Sequence, residues 1–352
     1  MPKPFATHRS QIESILLGWG MKPAHAARTA DVMAWSDLRG VDSHGLSMLT
    51  VYNERRLQGR LNIQADPRII QETPVAVLVD GDGGLGHMPS IIGMEAAIRK
   101  AKEIGVGIAS VRNSAHFGPA GYYSNMAAEA GVIGMGCTSA SGIQVAPTGG
   151  AEAKYGTDPW TFAAPAREGE PFLLDMATTT VAAGKIRNKQ NEKLPVPLGW
   201  MVTSEGKPTT DATENQKGGF LTPLGGTADG SSYKGYGLAA MVNILASGLS
   251  GATFPTDPQH MKKTNQDIGH FFMAINPALF RGNDEFRNDV TAFCDSLRAT
   301  KPADPDKPVM VAGDPERKIA ATRGQQGIPV QPGLAAKVKE IAQANGVAWV
   351  LD

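Results

Sequence analysis

Cysteine is almost missing from this chain: Cys137 and Cys294 are the only two in 352 residues, far apart and in no metal-ligand spacing. Their scarcity excludes a disulfide framework and suits a reducing cytoplasm. An excess of charge is also missing, because Lys plus Arg and Asp plus Glu number 34 each. Neither nucleic acid nor an anionic membrane would be drawn to such a surface. The N-terminal MPKPFATHRSQIESILLGWG lacks the unbroken apolar core of a signal peptide, and no later run approaches the roughly 20 apolar residues that span a bilayer. A cytoplasmic protein with no nucleic-acid or membrane partner is expected. No H-E-x-x-H, H-x-x-E-H or G-x-S-x-G motif occurs, which argues against a zinc site and against a hydrolase nucleophile elbow, so no metal is expected.

Glycine and proline, by contrast, are plentiful, with 41 and 24 residues spread as punctuation between apolar segments. That texture belongs to an α/β enzyme with many short connections. Ser10 to Glu13 has the form of a capping box, predicting a helix to about Leu17, and a proline-started helix follows from Pro23 to before Gly40. The middle alternates: strands are predicted at 75–80, 106–114, 132–139, 171–177 and 270–277, and helices at 89–105, 119–131 and 234–252. The 234–252 helix is apolar around most of its circumference and should be buried in the core or at a subunit interface. Helical patterns return after Asn283. The chain therefore divides into a helical segment, 1–72, packing with C-terminal helices in 283–352, and an α/β cofactor- and substrate-binding domain over 73–282.

Three loops concentrate polar chemistry. In RGVDSHG (39–45), Gly40 and Gly45 bracket Asp42, Ser43 and His44, which reads either as a helix cap and surface turn or as a shaped loop presenting an acid or base. In NSAHFGPAGYY, His116 lies after a strand and before a helix, where α/β proteins assemble their sites. Imidazole titrates near neutral pH, so either histidine suits proton transfer; a backbone-capping role is the alternative. In GDGGLG (81–86), a G-x-G-x-x-G match follows a strand and precedes a helix, the form of a dinucleotide-binding fingerprint. Asp80 and Asp82 would place negative charge beside a pyrophosphate, however, and the next strand ends without an acidic ribose ligand.

Other positions are open to more than one reading. Asp175, closing PFLLD, can orient a histidine, bind a ribose hydroxyl or cap a helix, and Lys234 in YKGYG can face an anion or solvent. The irregular run 145–165 suits a pocket wall.

Taken in order, RGVDSHG, SAHFGPAGYYS, VAPTGG, YGTDPWTFAAP, LLDMATT, GWMVTSEGKPTTD, YKGYGLAAM and AINPALF resemble the malate/L-lactate dehydrogenase family over nearly the whole chain. These are the non-Rossmann NAD(P)-dependent oxidoreductases that include sulfolactate, ureidoglycolate and diketogulonate dehydrogenases and the piperideine/pyrroline-2-carboxylate reductases. The resemblance implies a non-Rossmann malate/L-sulfolactate dehydrogenase-like α/β fold, with a mixed sheet flanked by helices and a helical layer from both chain ends. It also implies a homodimer, NAD or NADP as cofactor, and hydride transfer at C2 of a small 2-oxo or 2-hydroxy acid. A cyclic-imine carboxylate reductase and a non-catalytic nucleotide-binding protein are the alternatives.

Carried onto this sequence, the resemblance makes His44 or His116 the proton donor, with Ser43 beside it. Ser141, Asp175, Met176, Ala177, Tyr233, Lys234, Ala312, Gly313 and Asp314 become nucleotide contacts, the last three standing where the family shows Pro-Gly-Glu. The chain departs from the family pattern at Met48, where a substrate-binding arginine is frequent, leaving carboxylate recognition to Arg39, Lys234 or backbone amides. Asp158 and Ala140 each replace a frequent asparagine.

Overall fold

The computed structural model describes residues 1–140, 142–257 and 265–352. Its centre is a seven-stranded sheet in the spatial order β1 (Arg68–Glu72), β2 (Ala76–Asp80), β3 (Val106–Ser114), β10 (Ile268–Ile275), β4 (Ile133–Thr138), β5 (Trp160–Ala164) and β6 (Phe172–Met176). Only β2 and β3 pair in parallel, and every other neighbour is antiparallel. The sheet is therefore mixed, and it lacks the succession of parallel strands on which a doubly wound nucleotide fold depends.

Strand alternation sends Val77, Val79, Ala109, Val111 and Phe272 to one face, where Ile91, Met94 and Ala97 of α4 (His87–Ile104) and Tyr123 and Ala127 of α5 (Gly121–Glu129) cover them. The other face puts Cys137 and Phe271 against Val242 of α7 (Tyr233–Asn243) and Ala246 of the π-type turn that continues it. α7 is less buried than its composition suggests. Ala239 and Val242 face inward, but Tyr236, Leu238, Ile244 and Leu249 are exposed.

A further cluster joins α1 (Phe5–Gly18), α2 (Pro23–Leu38) and α3 (Met48–Leu57) to Val338 and Ala342 of α10 (Pro332–Ala344) and to Leu351, so apolar faces from the two ends of the chain bury one another. A small sheet of β7 (Met201–Val202), β8 (Pro208–Thr209) and β9 (Phe220–Leu221) packs with Val145, Tyr155, Val196 and Ile186, the last from α6 (Ala183–Asn191). α8 (Asn283–Arg298) and α9 (Asp314–Gln326) complete the chain. One local expectation fails. The first helix starts at Phe5 behind Pro4, so Ser10 lies mid-helix and Glu13 pairs with Arg9 instead of closing a capping box. None of these helices is long and apolar enough to cross a membrane.

Candidate active site

The 39–47 loop leaves α2 and enters α3, and its two glycines have separate physical causes. Gly40 has φ +80°, a left-handed conformation that side chains resist, and a Cβ there would sit 2.9 Å from Ile319 of α9. Gly45 is needed because the Asp37 carboxylate occupies the place of its missing Cβ. That carboxylate is buried, 2.7 Å from His8 Nε2, and accepts the Leu46 amide at 2.7 Å. Arg323 of α9 donates to Asp42 and to the Asp37 carbonyl. The loop is thus tied at both ends, leaving Ser43 and His44 at its crest. Ser43 Oγ lies 2.8 Å from His44 Nδ1.

His44 and Ser43 line a cavity of about 560 Å³ together with Asp175, Met176, Ala177, Ala312 and Gly313. β6 ends there, and the Leu173 amide donates to the Ala312 carbonyl, which holds the 310–313 segment beside the strand. Asp175 is exposed at the end of β6, where it lines the cavity. One of its oxygens accepts the Gly121 amide at 2.7 Å, at the positive end of α5. Desolvation by the protein around the cavity wall raises its carboxyl to about 6, outweighing that hydrogen bond, and nearby Glu316 pushes in the same direction.

His116 does not line this cavity. Its ring stacks on His44, with centroids 5.4 Å apart and planes 29° apart. Tyr52 Oη lies 2.6 Å from His116 Nδ1. Burial lowers the pKa of His44, and burial followed by His44, His87, Arg55 and His270 pushes that of His116 well below its ordinary value. His87 and His270 complete the group, each held near 3 mainly by burial. Among the described residues no group of three or more His, Cys, Asp or Glu side chains is arranged to hold a metal ion.

The remaining candidates fall elsewhere. Asp314 spends its carboxylate on Arg298, Arg317 and the Val311 amide, which holds it far below the usual carboxyl range. Tyr233 and Lys234 are exposed at the start of α7 and are absent from the cavity lining. Ser141 lies outside the described residues. Met48 packs against the helical core cluster. Arg39 stacks on Trp35 at 4.0 Å and faces a neighbouring cavity of about 600 Å³, which shares Leu173, Gly313 and Glu316 with the first. Asp158 is fully buried; it accepts the Ala140 amide at 2.8 Å and the Asn243 side chain at 2.7 Å, and burial raises it to about 6.

The GDGGLG loop commits its backbone amides within the protein. The amides of Gly81, Gly83 and Gly86 donate to the carbonyls of Arg112, Asn113 and His116, that of Gly84 to Gly81, and that of Asp82 to the Asp80 carboxylate. Cβ atoms at Gly84 and Gly86 would overlap the Ala65 side chain and the Ala115 carbonyl, so these glycines admit close packing by the protein itself. Tyr52, His87 and His270 lie around the stacked pair and are overlooked by pattern reading. Only the placement of Tyr52 on the helix directly after the SHG loop offers a signal.

Comparison with known proteins agrees with this geometry. The model of the malate/L-lactate dehydrogenase family matches residues 4–339. Malate dehydrogenase of Pyrococcus abyssi is 38% identical over 339 residues, covering 96% of this chain and 93% of the relative. L-sulfolactate dehydrogenase of Methanocaldococcus jannaschii is 35% identical over 338 residues, covering 96% and 95%. The crystal structure of malate dehydrogenase from Entamoeba histolytica superposes with a TM-score of 0.94 at 34% identity, covering 99% of each chain. The chain belongs to the malate/L-lactate dehydrogenase family, and it is an oxidoreductase of the kind that acts on the CH–OH group of hydroxy acids with a nicotinamide cofactor.

Proposed function

We propose that this chain moves hydride between NAD or NADP and C2 of a small 2-hydroxy or 2-oxo acid of the malate/lactate type. The observation that carries the reading is the shared cavity: His44 and Ser43 line one part of it, and Asp175–Ala177 with Ala312–Gly313 line another. The fit to a nucleotide rests on Asp175, which among the described residues has one oxygen engaged, by the Gly121 amide, and so keeps an acceptor for a ribose hydroxyl. Backbone at 176, 177, 312 and 313 supplies further walls. When bound, the nicotinamide ring gives or takes the hydride.

The chain's own part is proton handling. Reduction leaves negative charge on the acid's 2-oxygen, and a donor held at that oxygen stabilises the transition state. His44 lines the cavity and Ser43 fixes its Nδ1 edge, so His44 delivers the proton in reduction and removes it in oxidation; His116, stacked on it, supports the ring. The exposed apolar residues Tyr236, Leu238, Ile244 and Leu249 on and beyond α7 support a homodimer, to be checked by sedimentation. Unpaired buried Cys137 and Cys294 support a cytoplasmic location.

The test is turnover of pyruvate, oxaloacetate and cyclic imine carboxylates with both reduced cofactors. His44→Gln should lose about 10²–10⁴-fold in kcat, the usual worth of a positioned acid–base group, while its cofactor affinity stays at the wild-type level. Wild-type rates in both His44→Gln and His116→Gln would overturn the assignment. Turnover confined to cyclic imines would move the protonated atom from oxygen to nitrogen.

A further inference from the structure

Tyr52 is fully buried on α3, and the one hydrogen-bond partner its hydroxyl has among the described residues is His116 Nδ1, at 2.6 Å. Either atom of such a pair is able to donate, so this contact alone leaves the histidine's tautomer open. A second contact decides it. The Gly118 amide also points at His116 Nδ1, at 3.3 Å, and a backbone N–H only donates. Nδ1 is therefore an acceptor and carries no proton. The Tyr52 hydroxyl must donate to it, and the ring proton resides on Nε2.

This arrangement bears on the stacked pair, since two imidazoles with centroids 5.4 Å apart do not both carry charge at modest cost. Protonating His116 would put an N–H at Nδ1 against the Gly118 amide and require the tyrosine hydroxyl to reverse. No such obstacle faces His44, whose Nδ1 partner is the Ser43 hydroxyl, able to donate or accept. The groups around His116 oppose its charge as well: His44 from the SHG loop, Arg55 from α3, His87 at the start of α4 and His270 from β10. Resting on the dehydrogenase reading above, we propose that Tyr52 is a positioning residue that acts through His116. With the Gly118 amide it locks His116 as the neutral Nε2–H tautomer, so that of the two stacked rings only His44 takes up and releases the reaction's proton.

The test pairs spectroscopy with kinetics. In ¹⁵N-labelled wild-type protein, His116 should show an unprotonated Nδ1 and a protonated Nε2 that do not change as the pH is lowered, while His44 takes up a proton below the ordinary imidazole range. Tyr52→Phe keeps the ring and removes the donor. It should lose the single-tautomer signature and lower kcat about tenfold on the low-pH plateau, with KM for the cofactor unchanged. A His116 that protonates at Nδ1 in the wild type would overturn the lock, whatever the variant's folding. So would a folded Tyr52→Phe with wild-type kcat, pH profile and nitrogen signature. No turnover of any acid by the wild type would contradict the dehydrogenase reading instead, and the nitrogen signature would still decide the lock.

Discussion

Two glycine-bracketed turns, 39–45 and 81–86, look alike as strings and differ in how they use their hydrogen-bonding groups. In the first, the surroundings hold the backbone: Asp37, Arg323 and Ile319 fix it from outside, and Ser43 and His44 remain directed at a cavity. In the second, the loop spends its own amides on neighbouring carbonyls and its glycines on close backbone approach. A site needs groups that the fold has not already consumed, and glycine content alone does not show which loop has them. The decoy loop still matters structurally, because its Gly86 amide holds the His116 carbonyl.

Paired substitutions sharpen the contrast. Asp175→Ala should weaken binding of the reduced cofactor by roughly 10–100-fold, the worth of a hydrogen bond to a charged group, whereas Asp82→Ala should leave it within about twofold; fluorescence titration reads both. Equal effects would erase the distinction between the loops. Gly45→Ala forces a methyl into the Asp37 carboxylate and should destabilise the fold by about 2–3 kcal/mol in denaturant melts, with loss of turnover.

A smaller effect is expected at Asp158. Its folded value, about 6, lies above the ordinary 3.8, so the folded chain holds the proton more tightly than the unfolded one. The stability that comes with this protonation is complete below about pH 4 and is lost as pH rises through 6. Asp158→Asn should therefore melt higher than wild type at pH 8, by about 1–2 kcal/mol, and no differently near pH 4. A gain that does not vary with pH would contradict this account of the buried carboxylate.

Much of this was legible in the sequence. The β3 pattern VGIASVRNS gave its strand end to end, and Pro23 and Gly40 bounded α2 closely, because each element announces itself by local chemistry. α9 did not, since none of its residues is buried and there is no apolar period to read. β5 was hidden because it lies at the end of a glycine- and proline-rich run. Of the residues lining the candidate cavity, Ser43, His44 and Asp175 stand in stretches that can be read locally, whereas Ala312 and Gly313 are named only through the family resemblance. The Tyr52–His116–Gly118 contact joins α3 to the end of β3 across some sixty residues of chain, and no local spacing encodes it.

The most direct measurement is a crystal structure of the chain with its nicotinamide cofactor and an unreactive acid such as oxamate. The account predicts nucleotide along Asp175–Ala177 and Ala312–Gly313, with the His44 ring within hydrogen-bond distance of the acid. Nucleotide lying on the 81–86 loop, or an acid bound with His44 turned away from it, would contradict it.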